Sequence, residues 1–364
     1  MSAANPADTP VPDCRLSICI TTRNRRAELA QTLASLLAQM PAQGVEVVVV
    51  DGQSDDDTPQ TMRALADRDA RVRFFRETVN GGIDRDYDKA VMYARGRHCW
   101  LMSDDDLFLP GAVARVLSAL ADDPCLVVVD AEVRNAHLTR VVQTSRLGLS
   151  ADTVFGPTEH EALFLAAADH LSFIGGTVIR RSLWMARERE AYIGSFFIHV
   201  GVIFQAPLPG KAVLLAGPLI AIRYGAASWS PRSFEIFGVR WPALLWSFSG
   251  LSPAARARVV AREPCQSLRQ LLALRSTGAY TLAAYRRWLA DASAPAWRKA
   301  LQFAIALTPG VLLNPPAIVC LLLLSRHPQL HLIDHLNSRY CLLRGPWRRY
   351  EAARARQLSP PPSR

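Results

Sequence analysis

HCWLMSDDDLFLPGA, residues 98–112, is the stretch on which the fold turns. A short apolar run ends in three consecutive carboxylates, Asp104, Asp105 and Asp106, then returns to apolar residues and a Pro-Gly turn. The apolar run reads as a strand buried on both faces, the kind that fills a parallel sheet. Three adjacent negative charges repel one another, and no Lys or Arg stands in the stretch. A solvated turn capping the helix that begins near Pro110 would tolerate them. So would a hard divalent cation, Mg²⁺ or Mn²⁺, which takes carboxylate oxygens and completes its shell with substrate phosphates. The position after a buried strand favours the cation.

The segments around this stretch alternate. LSICITT (16–22), VEVVVVDG (45–52), VRFFRE (72–77) and CLVVVDAEV (125–133) are further strand patterns. Between them, Leu29, Leu33, Leu36 and Leu37 recur at helical spacing, SDDDTPQTMRALADRD reads as a capped helix start, and YDKAVMYARG predicts a helix closing at Gly96 as its C′ residue. Alternation of this kind predicts a mainly parallel α/β sheet with right-handed crossovers. Ligands in such sheets sit beyond the carboxyl ends of the strands. Thr21, Thr22, Arg23 and Asn24, Asp51, and Asp104 to Asp106 all fall there, and should share one crevice. Asp51 could accept from a base or ribose, and Arg23 and Arg25 could meet phosphate. No GxGxxG follows the first strand, which leaves a dinucleotide reading weak, and no GxxxxGK[ST] is present, which excludes a P-loop.

Composition bounds the rest. The chain has 364 residues, half of them hydrophobic and a fifth charged, as in ordinary globular proteins. Seven cysteines without a CxxC pair indicate reduced thiols of a cytosolic protein. The polar, Pro-rich start MSAANPADTPVPDCR lacks the pattern of a signal peptide. From Pro253 onward there are 17 Arg/Lys against 4 Asp/Glu; before it there are 25 against 28. A basic block suits an anionic membrane surface or a nucleic acid, or is a solvated helical face. No RNP, KH or helix-turn-helix pattern accompanies it, so no nucleic-acid partner is expected.

Three pieces together, SICITTRNR, VEVVVVDGQSDDDT and GGIDRDYDKAVMYARGRHCWLMSDDDLFLPGA, resemble the family 2 glycosyltransferases of GT-A fold. Asp51, Ser54, Asp56 and Thr58 stand where that family has Asp…Ser-x-Asp-x-Thr. With the later FIGGTVIRRSLW, the form is most similar to the abequosyltransferase-like branch, which builds bacterial O-antigen units. The likeness covers roughly residues 15–205. It implies a mostly parallel GT-A sheet flanked by helices. It also implies a nucleotide-sugar donor (CDP-, dTDP-, UDP- or GDP-linked), a metal on Asp105 and Asp106, and inverting transfer to a hydroxyl. Thr21, Arg23, Asp51, Asp56 and Asp104 would line the donor site, with Asp84, Asp86 and Asp88 near the sugar. Asp88 replaces the family's common Asn, and Ser103 replaces the first Asp of its acidic motif. The Glu-Asp pair that supplies the base in many relatives is missing. His199, the one side chain in YIGSFFIHVG that titrates near neutral pH, is one candidate base or a core histidine; Asp169 and His170 compete with it. A nucleotidyltransferase or a non-catalytic membrane scaffold is the alternative.

The expected organisation is a flexible start (1–14), a GT-A domain (15–250), a basic helical membrane-associating region (251–350) and a disordered tail (351–364). ALQFAIALTPGVLLNPPAIVCLLLLS (300–325) carries no charge but is broken by Pro309, Gly310, Asn314, Pro315 and Pro316. It reads as a membrane-surface or re-entrant segment, consistent with a lipid-linked glycan acceptor and a cytoplasmic, membrane-peripheral location. His327, His331 and His335 form a helical stripe that reads as surface or packing rather than a metal site.

Overall fold

The computed structural model describes residues 14–225, 229–324 and 329–358. These fall into two compact units. One takes in residues up to 132, 143–222 and 247–259; the other takes in 133–142, 223–246 and those from 260 on.

The first unit is an α/β sandwich. Strands β1 (Leu16–Thr22), β2 (Val45–Asp51), β3 (Val72–Arg76) and β4 (His98–Met102) alternate with helices α1 (Arg26–Leu37), α2 (Thr58–Arg68) and α3 (Ile83–Tyr93). Every residue of β1, β2 and β4 is buried, which is why these strands read as largely apolar runs, with Ser17, Glu46 and His98 the buried exceptions near their starts. There follow β5 (Leu107–Phe108), α4 (Ala112–Ala119), β6 (Leu126–Arg134), β7 (Val141–Gln143), β8 (Thr153–Phe155), α5 (His160–Ala167), β9 (Thr177–Arg180), α6 (Arg181–Ala186), α7 (Ile198–Phe204) and β10 (Ala212–Arg223), of which residues 133–134, 141–142 and 223 are counted in the second unit. The sheet order is β3-β2-β1-β4-β9-β6-β10-β5, with β7 on β6 and β8 on β10. Its first four strands are parallel. From β9 on, the pairings β4·β9, β6·β9 and β10·β5 are antiparallel, so the sheet is mixed. The parallel part sends the ends of β1, β2 and β4 to one edge.

Helix α3 stops at Tyr93 with an extended residue at Ala94, not with a left-handed Gly96. Gly96 answers a different need. A Cβ there would lie 2.5 Å from the Ser17 backbone nitrogen in β1. Its own N–H donates to Ser17 Oγ, which donates to buried Glu46; Glu46 also accepts from the Arg95 N–H and pairs with Arg73. Gly96→Ala must push β1 aside, and is expected to cost about 2 kcal/mol or more. A melting curve superimposable on that of the unsubstituted protein would refute the close approach.

The second unit is helical. Its core gathers Phe234, Leu271, Tyr280, Leu289 and Ala306. Helix Leu268–Thr277 packs against Ala296–Leu307 and Gly310–Leu324, and Gln329–Asn337 packs on the last of these. Helix Arg344–Leu358 runs well past residue 350, into the span expected to be a tail. His335 is buried, with Nε2 2.9 Å from Ser276 Oγ and Nδ1 2.7 Å from the His331 carbonyl, so it packs rather than ligates. His327, like residues 1–13 and 359–364 of the expected flexible ends, lies outside the described residues. No single described helix is long and apolar enough to cross a membrane.

Candidate functional site

The β1–α1 and β2–α2 loops are tied together at the sheet edge. Asn24, at φ 56°, gives its N–H to Ser54 Oγ (2.8 Å), and its side-chain oxygen accepts from the Asp55 N–H (2.7 Å). Asn tolerates this left-handed backbone better than most residues. Exposed Arg23 reaches the Gln53 carbonyl at 3.4 Å. Thr21 lies buried beside the Tyr87 hydroxyl, which donates to the Met102 carbonyl and so braces α3 under the end of β4.

Two buried carboxylate oxygens face this edge without a hydrogen-bond donor among the described residues. Asp51 is fully buried; Oδ1 accepts from the Ser54 N–H (2.9 Å), while Oδ2 has only the Arg76 guanidinium 3.6 Å away. Asp86 Oδ1 is the second. A Cβ on Gly52 would lie 2.6 Å from Asp86 Oδ2, so the Asp86 carboxylate sits directly against the end of β2, in room that the glycine leaves. Buried acceptors without donors are costly, and a ligand's N–H or O–H groups would relieve them.

Burial pushes the Asp86 carboxyl up to about 6, with Lys89 opposing and Glu77 and Asp51 adding to the rise. The folded state therefore holds the proton more tightly than the unfolded chain, whose value is near 3.8. That contribution to stability is full below about pH 4 and is lost as pH rises through about 6. Asp86→Asn is expected to remove this loss, so its melting temperature gains on the unsubstituted protein between pH 4 and pH 7 in metal-free buffer. Parallel pH profiles for the two proteins would contradict it.

The acidic triplet is not left to itself. Arg25 Nη1 lies 2.5 Å from Asp105 Oδ2 and 3.4 Å from Asp104 Oδ1. Thr22 Oγ1 donates to Asp104 Oδ2 (2.7 Å), and Ser103 Oγ donates to Asp106. Thr32 Oγ1, on α1, sits 2.8 Å from the Asp106 carbonyl and 3.0 Å from that of Asp104. Burial, and then the neighbouring charge of Asp105, push Asp104 up to about 7 against the pull of Arg25 and Thr22. Arg25, expected at a phosphate, is thus the triplet's counter-ion. The donor set suits a hard cation: carboxylate oxygens where positive charge is already held. Among the described residues no three His, Cys, Asp or Glu side chains converge, so one or two carboxylates would hold the ion and the donor's phosphates would complete its shell. Asp105, partly exposed, is the better placed; Asp106 is buried under Ser103.

Other expected residues lie elsewhere or do other work. Asp84 is buried, and its carboxylate accepts from the N–H groups of Gly194 (2.8 Å), Phe196 (2.8 Å) and Ile198 (3.1 Å). It anchors a loop rather than meeting a donor. Burial raises its pKa against those backbone bonds. Asp88 accepts from Trp184 Nε1 (2.9 Å) and pairs with Arg189 Nε (2.8 Å), which commits it to the α6 side. Asp56 accepts from the Thr58 N–H (3.0 Å) at the start of α2; despite slight burial, the bonds from Thr58 hold its carboxyl below the usual range. His199 does not reach the crevice. It is 1% exposed, Nε2 is 2.7 Å from the Leu171 carbonyl, and burial drives it down to about 4. His170 is likewise buried on the Val129 carbonyl and pushed down to about 4 by burial. Asp169 is exposed, just before the turns His170–Ser172 and Ile174–Gly176 that enter β9. Trp100 Nε1 donates to the Gly175 carbonyl (2.8 Å), and Trp100 pairs with Val178, so this segment joins the sheet beside the end of β4.

Residues 17–184 match the family described as Glycosyl transferase family 2. The abequosyltransferase RfbV of Salmonella typhimurium is 24% identical over 205 residues, covering 53% of this chain and 62% of that protein. The GalNAc(5)-diNAcBac-PP-undecaprenol beta-1,3-glucosyltransferase of Campylobacter jejuni is 27% identical over 104 residues, or 28% and 33% of the two chains. The chain thus spans less than two thirds of these relatives' length. Among solved structures, S. aureus TarS 1-349 aligns over 92% of both chains with TM-score 0.55 and 16% identity. The mannosyltransferase PcManGT of Pyrobaculum calidifontis, in complex with GDP-Man and Mn2+, aligns over 90% and 87% with TM-score 0.52 and 17% identity. At such identities these two speak for the fold, a mixed α/β sheet flanked by helices with GT-A-type neighbours. The β-sheet edge that gathers Asp51, Asp86 and Asp104 to Asp106 therefore lies within residues 17–184, the part of this chain that matches the glycosyl transferase family 2.

Proposed function

We propose that this chain transfers a sugar from a nucleotide-sugar donor to a hydroxyl of a lipid-linked glycan, in the synthesis of O-antigen or another surface polysaccharide. The observation that carries it is the pair of buried, undonated oxygens on Asp51 and Asp86, at the same sheet edge as the acidic triplet. Asp51 and Asp86 accept from the nucleoside, and Thr21 and exposed Arg23 complete the donor side. Asp105, with Asp106 behind it, holds Mg²⁺ or Mn²⁺ together with the diphosphate. When bound, the cation neutralises charge on the leaving diphosphate. With His199 and His170 in the core, Asp169 is the base that takes the acceptor's proton as its oxygen attacks the anomeric carbon, a single displacement that inverts that centre.

The relatives' names support the acceptor class: one is an abequosyltransferase, and the other acts on an undecaprenol-linked glycan. The basic C-terminal third suits a peripheral place on the anionic inner face of the cell membrane. A panel of CDP-, dTDP-, UDP- and GDP-sugars, incubated with a lipid-linked acceptor and Mn²⁺, tests the proposal. One donor should yield product of inverted configuration with release of nucleoside diphosphate. No transfer from any donor, or retention of configuration, would refute it.

A further inference from the structure

We propose that the bent helix pair Ala296–Leu307 and Gly310–Leu324 is a wedge that buries itself in one leaflet of an anionic lipid bilayer. This deepens the membrane reading above and rests on it. Gly310–Leu324 has no charged residue and, Asn314 apart, is apolar on every side, yet among its described residues only Gly310 and Asn314 are buried. A helix of that composition in a water-soluble protein belongs in the core. Here Leu312 is 65% exposed, Leu323 77% and Leu324 81%. On Ala296–Leu307, Trp297 (57% exposed) and Leu301, one helical turn apart, and Leu307 stand exposed, while Gln302 and Ala306 face inward. Exposed apolar surface this continuous marks an interaction site.

The shape argues for insertion rather than crossing. The two helices meet at 99°. Gly310–Leu324, with 15 residues, is about 22 Å long, short of the roughly 30 Å of bilayer hydrocarbon. The elbow is built, not frayed. The Tyr340 ring fills the space a Cβ on Gly310 would need, Arg275 Nε donates to the Thr308 carbonyl (2.7 Å), and Asn314 Nδ2 donates to the carbonyls of Ser276 and His335 (both 3.1 Å).

Charge selects the occupant. Arg298 lies over the Trp297 ring at 5.3 Å, and exposed Arg339 lies over Tyr340 at 4.9 Å. Aromatic rings and cations at the margin of an apolar face match the headgroup layer of an anionic leaflet. A second copy of the chain would bring the same basic margin, with 4 acidic residues from Pro253 on to answer 17 basic ones.

The test uses the full chain and phosphatidylcholine vesicles with and without phosphatidylglycerol, read by flotation. The protein should float with the anionic vesicles, less so at high salt. The double variant Leu312→Glu/Leu323→Glu, altered only at exposed positions, should keep its melting temperature and bind at least about ten-fold more weakly. Binding unchanged in the double variant overturns the wedge. So does absence of binding by the unsubstituted protein, or a dimer in light scattering that the double variant dissolves. Transfer to a water-soluble acceptor analogue separates the two claims: its absence beside intact vesicle binding counts against the proposed activity and leaves the wedge standing.

Discussion

Asp105→Asn is expected to lower kcat/KM for sugar transfer by about 10²–10³-fold while shifting the melting temperature by no more than a few degrees. The substitution keeps the side chain's size but removes the charge that would hold a divalent cation against the donor's diphosphate. Its fold cost is small because the pair it breaks, Arg25 with Asp105, lies at a partly exposed edge. The same variant should lose Mn²⁺-dependent nucleotide binding. A variant that turns over at the unsubstituted rate with Mn²⁺ would take Asp105 out of the reaction.

Asp84→Ala should have the opposite profile, a large loss of stability. One carboxylate accepts three backbone N–H groups from the 194–198 loop, more than 100 residues away in the chain. Gly194 and Phe196 in that loop are held at φ 86° and 72°, a backbone that for Phe carries strain and persists only when its surroundings enforce it. Removing the carboxylate leaves buried donors unpaired, at a cost of about 3 kcal/mol or more, on the order of 10 °C in melting temperature. Asp84→Asn, which keeps one acceptor oxygen, should fall between. If calorimetry shows Asp84→Ala melting with the unsubstituted protein while nucleotide affinity collapses, Asp84 belongs to the donor site after all.

The contrast between Asp84 and Asp86 shows where sequence reading stops. They stand two residues apart in GGIDRDYD, and both were natural candidates beside the donor. On a helix, residues two apart point in widely different directions. Asp86 turns to Gly52 and the crevice; Asp84 turns to the 194–198 loop. Nothing in the local pattern says which, because the partners come from distant segments. The same holds for Arg25, some 80 residues from its carboxylates, and for Thr32, whose place in a Leu-rich helical pattern gave no hint of its contact with the triplet. His199 misled for a related reason. A lone residue that titrates near neutral pH stands out in an apolar run, but His199 falls in Ile198–Phe204, a helix buried at every position, and burial disables the base.

What was legible followed from burial on both faces. Strands β1, β2 and β4 have no polar side to alternate with, so their runs announce themselves, and topology then places the carboxyl-end residues together. The antiparallel half was less readable. Strand β9 has four residues, and a short apolar segment carries no mark of its direction.

The central claim is that this sheet edge binds a nucleoside diphosphate through a divalent cation. Isothermal titration of CDP, dTDP, UDP and GDP into the full chain, each with and without Mn²⁺, measures it directly. The account predicts that at least one nucleotide binds about ten-fold or more tightly with the ion present, and that Asp105→Asn erases the difference. Equal affinity with and without Mn²⁺ for all four, or no binding at all, would contradict it.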